Sequence, residues 1–518
     1  MKKHSISKRF ACSVLLAGIA MFSRAGGLSL VSTAKAGELE EPVSLGIHNP
    51  FDTEDTDGEA GVSCVKSNSK IVTVLPSQNK GRGYSENHIE AGKLKNCLPV
   101  ASSYMNNLKD VGVNAISQHF SRRYDDNGFP YFGLEEGGHN NNEIVVQLYV
   151  GTFNNYFWAS INPVSTKGFK GDIDSATHEI LDKDKDSSGP RYLPASEAGF
   201  IEWQKWLETV FDYLDEHKAT GKLAYIQIGN ETDPDYAKND EGERSDKPED
   251  FYWDAYAKLV EKSYDIIKSR APKTKIAIGA LGAGRAILNG FQRPTLEYLS
   301  GKIDENGKVV NRGKRCGGAG CFDVYDYHDF SGYEEYKGRI ACQPINCVKK
   351  SGMEFITFEK TPANMKKLLS DSGFTDKGLV IQQGGTYVGQ DSRVDDLENY
   401  QSEEDQASFL VKRAVHLSSQ GVKQAMFGTY IEHSCYKGTI HNWFTMMGLT
   451  YNGIPKPEEI PDCQTKKLEE FEKETCDGQL PCPDPGKGVK KFSYFSAKKL
   501  IETLKGSDWN KIEAIATG

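Results

Sequence analysis

Short apolar runs recur along the chain, and segments with helical periodicity separate most of them, which constrains the fold more than any other feature. Eight runs have the length of buried strands: 43–48, 114–120, 144–150, 224–230, 275–282, 322–328, 378–384 and 424–430. Helical patterns cover 104–111, 196–217, 249–269, 294–299, 362–370, 403–418 and 492–504. Strands that alternate with helices predict a parallel sheet, and eight strands close a barrel. We therefore predict an α/β fold, a single (β/α)8 TIM barrel.

The first residues have the pattern of an export signal. Lys2 and Lys3 begin a positive segment, residues 14–22 form an apolar core, and Ala34 and Ala36 define a small-residue cleavage site. The apolar core is too short to span a bilayer comfortably. We predict a signal peptide over 1–36, a single (β/α)8 barrel domain over 37–518, a secreted or periplasmic location and no membrane insertion.

The charge of the chain narrows its partners. Loss of the six basic residues in 1–36 would take the formal net charge from −9 to −15. A field of that sign repels nucleic acid and anionic membranes, so neither is expected as a partner.

The cysteines predict stapled loops. Eleven are present, and ten remain after Cys12 is removed with the signal peptide. Cys316 and Cys321 share a C-x4-C spacing with Cys342 and Cys347. An even number in an oxidising compartment favours disulfides that staple the long βα loops, and a zinc site is the alternative. Further candidate pairs are Cys64 with Cys97, and Cys435, Cys463, Cys476 and Cys482 among themselves.

A carboxylate follows the fourth run, in the stretch "IGNETD" that contains Asn230 and Glu231. "NLKDVGVNAI" falls at the helix 1 to strand 2 segment, "FDVYDYHDF" at strand 6, "GLVIQQGGTYVG" at strand 7, and "GLTYNGIPKP" at the closing loop before helix 8. Together these segments resemble clan A of the glycoside hydrolases, the retaining (β/α)8 glycosidases. The resemblance runs from about residue 43 to residue 504.

This resemblance implies roles for two residues. Glu231 would protonate the leaving glycosidic oxygen and then activate water, and Asn230 would bind the sugar 2-hydroxyl. Retaining hydrolysis needs a second, ionised carboxyl about 5 Å away. The alternative for Glu231 is a strand-end carboxylate that caps a helix or pairs with a base.

The nucleophile position departs from the family pattern. Gln383 stands where the family has a glutamate at the end of strand 7, and a neutral amide cannot form the glycosyl-enzyme ester. Ser117 stands where the family has an arginine beside the nucleophile, and loss of both members indicates a remodelled site. Arg122 and Arg123 are expected to substitute in part for that arginine.

A relocated nucleophile is the alternative. Glu432, just after strand 8, is the best substitute, and Asp329 and Asp326 on strand 6 are others. A carboxyl separation of roughly 7–9 Å would instead fit an inverting mechanism.

Further side chains are candidates for sugar binding. Tyr149 and Trp158 belong to an aromatic cluster that we place after strand 3, and Tyr430 and Trp443 lie near strand 8. His48, His119 and His328 lie near strand ends. Neutral sugar-binding histidines and rim packing of the aromatic residues explain these as well as a metal site would, so no cofactor and no metal is predicted. The acidic stretch 182–189 lacks the glycine and glutamate of a calcium loop and is interpreted as a solvated loop.

Two functions follow. The first is an exported glycoside-hydrolase-like protein that acts on or binds a β-linked oligo- or polysaccharide with Glu231 as acid/base. The second is a catalytically impaired carbohydrate-binding pseudo-glycosidase, because Gln383 replaces the nucleophile. A secreted structural component without a glycan ligand is a weaker third.

Overall fold

The structure is a computed structural model. It describes residues 45–48, 71–74, 83, 85–89, 106–113, 115–124, 129–133, 146, 150, 156–165, 167–174, 177, 179–186, 191–230, 252–279, 288–328, 361–388, 402–428, 447–451 and 488–504.

Eight parallel strands form the central sheet. They are β1 Leu45–His48, β2 Ala115–Ser121, β3 Tyr156–Asn162, β4 Leu223–Ile228, β5 Lys275–Gly279, β6 Val324–Asp326, β7 Gly378–Ile381 and β8 Val422–Phe427. The strands hydrogen-bond in chain order, and β1 pairs with both β2 and β8, so the sheet closes on itself. Since all strands run in one direction, their carboxyl ends meet at one edge, which we call the barrel mouth.

Helices connect the strands from β3 onward. They are α1 Glu197–Glu216, α2 Trp253–Arg270, α3 Arg293–Leu299, α4 Thr361–Asp371, α5 Glu403–Ser419 and α6 Phe492–Leu504. Residues 106–111, between β1 and β2, are also helical. A π-helical turn, Leu288–Gln292, leads into α3, and the 3-10 turns are Thr220–Lys222 and Cys316–Gly318. Helices that alternate with parallel strands confirm the predicted α/β class.

The longest helices form where the apolar period is strongest. On α1 the residues Phe200, Trp203, Leu207 and Val210 are all 2% exposed or less. Each such side chain contributes about 1.5–3 kcal/mol when it leaves water. Helix α5 begins at Ser402, whose side chain accepts the backbone N–H of Asp405 in a capping box. The sequence therefore defines both the inward face and the start of these helices.

The third strand is the one that the sequence analysis placed wrongly. The apolar run 144–150 does not supply it, because Val146 and Val150, the two residues of that run that the structure describes, are helical and buried. Strand β3 is instead Tyr156–Asn162, which pairs with β2 over its whole length and with β4 from Phe157 to Ile161. Its first three residues, "YFW", were assigned to an aromatic cluster in a loop, because the sequence alone does not show the neighbouring strands β2 and β4.

Short strands decorate the loops. Ile71–Val74, Ser85–Ile89 and Tyr131–Gly133 form one small sheet, Asp172–Asp174 pairs with Tyr192–Pro194, and Lys167–Gly168 pairs with Lys185–Asp186.

The acidic stretch is solvated as expected, with Asp182, Asp184 and Asp186 exposed. The predicted bridge between Cys316 and Cys321 is confirmed, with Cα atoms 5.2 Å apart. The other candidate cysteines lie outside the described residues.

Two apolar clusters stabilise the fold. The larger fills the space between the sheet and the helices, and the smaller lies inside the barrel. Ala115, Trp158, Tyr225, Ala277, Val324, Val380 and Met426 form the smaller one, with members from β2 to β8. None of the helices in the described ranges has both the length and the apolar character needed to cross a bilayer.

Candidate active site

Gln383 and Asn230 meet across the barrel mouth. Gln383 follows β7 by two residues and Asn230 follows β4 by two residues, so each lies where a strand delivers its next side chains to the mouth. The Nε2 amide of Gln383 donates to Oδ1 of Asn230 over 3.3 Å. Since two strands separate β4 from β7 in the sheet, this bond reaches across the interior rather than along it. Gln383 is 8% exposed, and Asn230 is partly exposed.

A neutral network lies directly below this pair. The Nε2 amide of Gln382 is 3.3 Å from Oγ of Ser117 and 3.1 Å from Oγ of Ser160, and thereby joins β7 to β2 and β3. Ser160 donates in turn to Oε1 of Gln227 on β4 over 3.1 Å. All four side chains are buried. The position where the family pattern has an arginine is therefore occupied by a hydroxyl within a network of amides and hydroxyls.

Trp158 lies in this interior and not in a loop after strand 3. It is 0% exposed, stacks on Tyr225 with ring centroids 4.7 Å apart, and donates Nε1–H to Oε1 of Gln227 over 3.0 Å. Its predicted place in an aromatic cluster after strand 3 is wrong, because strand β3 begins at Tyr156, twelve residues after the start of the run at 144–150 that the sequence suggested. In this position Trp158 supports the floor of the mouth and has no exposed face for a sugar.

Asp326 and His328 lie at the end of β6. Oδ1 of Asp326 accepts the backbone N–H of Gln382 over 2.7 Å, and Nε2 of His328 lies 4.0 Å from Oδ2 of Asp326. The side chains of Asp326 and His328 are 0% and 3% exposed. Burial raises the pKa of Asp326 to about 7, and the nearby His328 and the hydrogen bonds from backbone N–H groups only partly offset that rise.

The other histidines are distributed around the barrel. His119 lies on β2 opposite Ser160 of β3 and is partly exposed. His48 ends β1, and the structure describes only its backbone, which lies in register with Ser117. Within the described ranges, no three His, Cys, Asp or Glu side chains are grouped as metal ligands.

Arg122 does not substitute for the missing arginine. Its guanidinium is fully buried and pairs with Asp172, with NH2 2.5 Å from Oδ2 and NH1 3.3 Å from Oδ1. This two-point contact ties the end of β2 to the loop that follows β3. The expectation that Arg122 would serve the nucleophile position is therefore wrong, since its charge already has a buried partner. For Arg123, burial lowers the pKa of the guanidinium.

Several predicted site residues lie outside the described residues: Glu231, Glu432, Asp329, Tyr149, Tyr430 and Trp443. Asn230, the residue before Glu231, is the last one described after β4. At the carboxyl ends of the eight strands, Asp326 is the only carboxyl group among the described residues.

Sequence reasoning missed the interior network. Gln382, Ser160 and Gln227 drew no attention, because a polar residue in an apolar run reads as a strand edge. One signal was available, since side chains alternate faces along a strand. Inward placement of Ser117 on β2 predicts inward placement of its register partners, which are Trp158 on β3 and His48 on β1.

Solved structures of glycoside hydrolases are among those that match this chain. A family 39 glycoside hydrolase from Bacteroides cellulosilyticus WH2 is 12% identical, with 78% of this chain and 60% of that chain covered and a TM-score of 0.44. A monomeric β-xylosidase from Caulobacter crescentus CB15 is 13% identical, with 77% and 64% covered and a TM-score of 0.40. A β-glucuronidase from an uncultured Clostridium is 9% identical, with 76% and 45% covered and a TM-score of 0.36.

This chain thus spans less than two thirds of the length of each of these three structures. No family model matches the sequence, and no curated protein matches it. At identities this low, the activities of those proteins are not assigned to this chain by similarity.

Proposed function

We propose that this chain is a glycoside-hydrolase-like protein that binds a β-linked oligo- or polysaccharide at the barrel mouth, with Glu231 as acid/base and with hydrolysis limited by Gln383. The sequence motifs in barrel order and the closed parallel sheet support a (β/α)8 TIM barrel of the clan A type. The same motifs support Asn230 as a ligand of the sugar 2-hydroxyl.

The observation that carries the proposal is the hydrogen bond between Gln383 and Asn230. It brings the nucleophile position and the residue before the acid/base position within 3.3 Å of each other, across two intervening strands. This geometry fits a site that once held one sugar between strands 4 and 7. An amide keeps the shape of a carboxyl and can both donate to and accept from sugar hydroxyls.

The chemistry available at this mouth follows from the charge on each group. In a retaining mechanism, an ionised carboxylate attacks the anomeric carbon while a protonated carboxyl gives its proton to the leaving oxygen. Gln383 has no negative charge to stabilise the oxocarbenium-like transition state, and its amide forms no ester. Glu231 can still donate a proton, so binding and partial polarisation of the glycosidic bond remain.

The alternative enzyme has its nucleophile at Glu432 after β8. Strand β8 pairs directly with β7, so a carboxylate there would approach the position of Gln383. We keep this as the second candidate because it predicts the opposite result in the assay below.

Residues 1–36 are proposed as a signal peptide, 37–518 as the barrel domain, and the location as secreted or periplasmic. The disulfide between Cys316 and Cys321 supports this part, because disulfides persist in oxidising compartments. We extend the same proposal to disulfide staples in the other long loops.

The test uses aryl β-xyloside, β-glucoside and β-glucuronide substrates, with release of the aryl group as the readout and calorimetry for binding. We expect very slow turnover by the wild type, with binding in the millimolar-to-micromolar range, about −4 to −8 kcal/mol. Gln383→Glu should raise turnover. The double variant with Ser117→Arg should raise it further, because a positive neighbour lowers the pKa of the new carboxyl and keeps it ionised.

Two controls make the test specific. Gln383→Ala removes the amide without supplying a carboxyl and should give no gain, and Glu231→Gln added to Gln383→Glu should abolish the gain. Rapid turnover by the wild type that is lost in Glu432→Gln would overturn the role of Gln383 and establish the relocated nucleophile. Absence of binding to every glycan, together with inactive variants, would overturn the glycan site itself.

A further inference from the structure

Asp326 is a buried carboxyl that the proposed reaction does not use. It ends β6 with 0% exposure, and its Oδ1 accepts the backbone N–H of Gln382, the residue before Gln383. Close packing fixes the surroundings, since Gly279 on β5 has a φ of 111° and any Cβ there would collide with the carbonyl oxygen of Asp326. The carboxyl therefore joins the end of strand β6 to Gln382, which follows strand β7 and precedes Gln383 at the nucleophile position.

The second oxygen of Asp326 faces His328. Nε2 of His328 is 4.0 Å from Oδ2, and both side chains are almost completely buried. At this separation in a buried site opposite charges attract strongly, so the protonation states of the two groups are coupled.

Among the residues that the structure describes, two further ionisable groups lie near this pair. Tyr327 adjoins it on β6, and Arg413 on α5 faces Tyr327 from the helix layer. Burial raises the pKa of Tyr327 and lowers the pKa of Arg413. The neighbours in register on β5 and β7 are Gly279 and Val380, which do not titrate.

We propose that Asp326 is a positioning residue, which holds Gln382 and hence Gln383 in place and whose charge is coupled to that of His328, so that the charge of His328 at the barrel mouth changes with pH. The inference deepens the proposed function, because it concerns the side chains beside the residues that would meet the glycan. Burial raises the pKa of Asp326 to about 7, which puts its titration near neutral pH.

The carboxyl of Asp326 both accepts the backbone N–H of Gln382 and titrates beside His328, and an amide can do only the first. An asparagine at this position would still accept the N–H of Gln382, so the link between the strands would survive. It would carry no titratable proton, so the coupling to His328 would disappear. Asp326→Asn therefore separates the positioning of strand 7 from the control of His328.

The experiment is an imidazole nitrogen NMR titration of the full barrel protein with labelled histidine, and His328→Gln assigns the signal. We expect the midpoint of His328 to fall by about one pH unit in Asp326→Asn, because the attraction of the carboxylate is lost. Asp323→Asn is the matched control. Asp323 also lies beside β6 and accepts a backbone N–H, from Ile276, but at the opposite end of the strand. It should leave the midpoint unchanged.

A reciprocal measurement protects the test if one variant folds poorly. Carboxyl carbon NMR of Asp326 in His328→Gln should show a raised pKa, since the nearby histidine lowers that pKa. Equal His328 midpoints in the wild type and Asp326→Asn, or an equal shift in Asp323→Asn, would overturn the proposal. Neither titration needs a glycan, so failure of the proposed function would leave this result independent.

Discussion

At the scale of single residues, the described ends of β2, β4 and β7 are joined by groups that hydrogen-bond without carrying charge. Gln383, Asn230, Gln382 and Ser117 join three of the strands across the interior through amides and a hydroxyl. A carboxylate with an arginine partner would make the same connections with two buried charges, whose desolvation must be offset by their attraction. The neutral set avoids that cost.

Asp326 makes the stability of the protein depend on pH. Its folded pKa of about 7 lies above the unfolded value of 3.8, so the folded state binds more protons between these values. The stabilisation is full below about pH 4 and is lost as the pH rises through 7. Asp326→Asn should therefore raise the free energy of unfolding, relative to the wild type, by about 2–3 kcal/mol more at pH 8 than at pH 5.

Urea unfolding of both proteins at the two pH values checks this prediction. Other carboxyl groups titrate equally in both proteins, so they cancel in the difference. A difference between the proteins that is the same at pH 5 and pH 8 would contradict it.

At the scale of elements, a buried ion pair joins strand β2 to the loop after β3. Arg122 and Asp172 are both fully buried, and Asp172 also accepts the backbone N–H of Phe169 over 3.0 Å. Tyr124 packs on Phe169 with ring centroids 4.6 Å apart, so the pair lies within a packed connection. The pair thus holds an insertion that follows the third strand against the end of the second.

Arg122→Met should destabilise the protein by about 3–5 kcal/mol, because it leaves the carboxylate of Asp172 buried without its partner. Arg270→Met is the matched control. That arginine joins α2 to Glu208, Asp212 and Asp215 of α1, whose side chains are 45–58% exposed, so its loss should cost less than about 1 kcal/mol. Chemical denaturation of both variants measures the two costs, and equal costs would contradict the distinction between them.

At the scale of the whole molecule, closure of the sheet places the site. Strand β1 pairs with both β2 and β8, which brings the ends of all eight strands to one edge. The apolar cluster inside the barrel fills the space below that edge, so the polar groups of β2, β3, β4 and β7 converge above a packed floor. The oxidation state of the cysteines also concerns the whole molecule, because disulfides persist only if the chain reaches an oxidising compartment.

The mature protein should begin near Gly37 and contain no free thiol. Ten cysteines remain after residue 36, and one pair is already bridged in the structure. Intact mass after alkylation without reductant should therefore show no added alkyl groups, and alkylation after reduction should add ten. Uptake of two or more groups without reductant would contradict the prediction that all ten are paired.

The sequence by itself determined most of the elements. Seven of the eight predicted strands correspond to strands of the closed sheet, and the long helices begin and end within a few residues of the prediction. These elements are local, since the spacing of apolar residues and the capping residues act over a few positions. The C-x4-C pair at 316 and 321 is equally local and was predicted as a bridge.

The tertiary structure alone decided the third strand and the partners of the polar side chains. The run at 144–150 is more continuously apolar than "YFWASIN", but only the latter completes the register between β2 and β4. Arg122 pairs with Asp172, which lies 50 positions away in the sequence, and Gln382 hydrogen-bonds Ser117 at a sequence separation of 265. Hydrogen bonds and ion pairs over such distances depend on how a closed sheet brings strand ends together, and no short stretch of sequence contains that information.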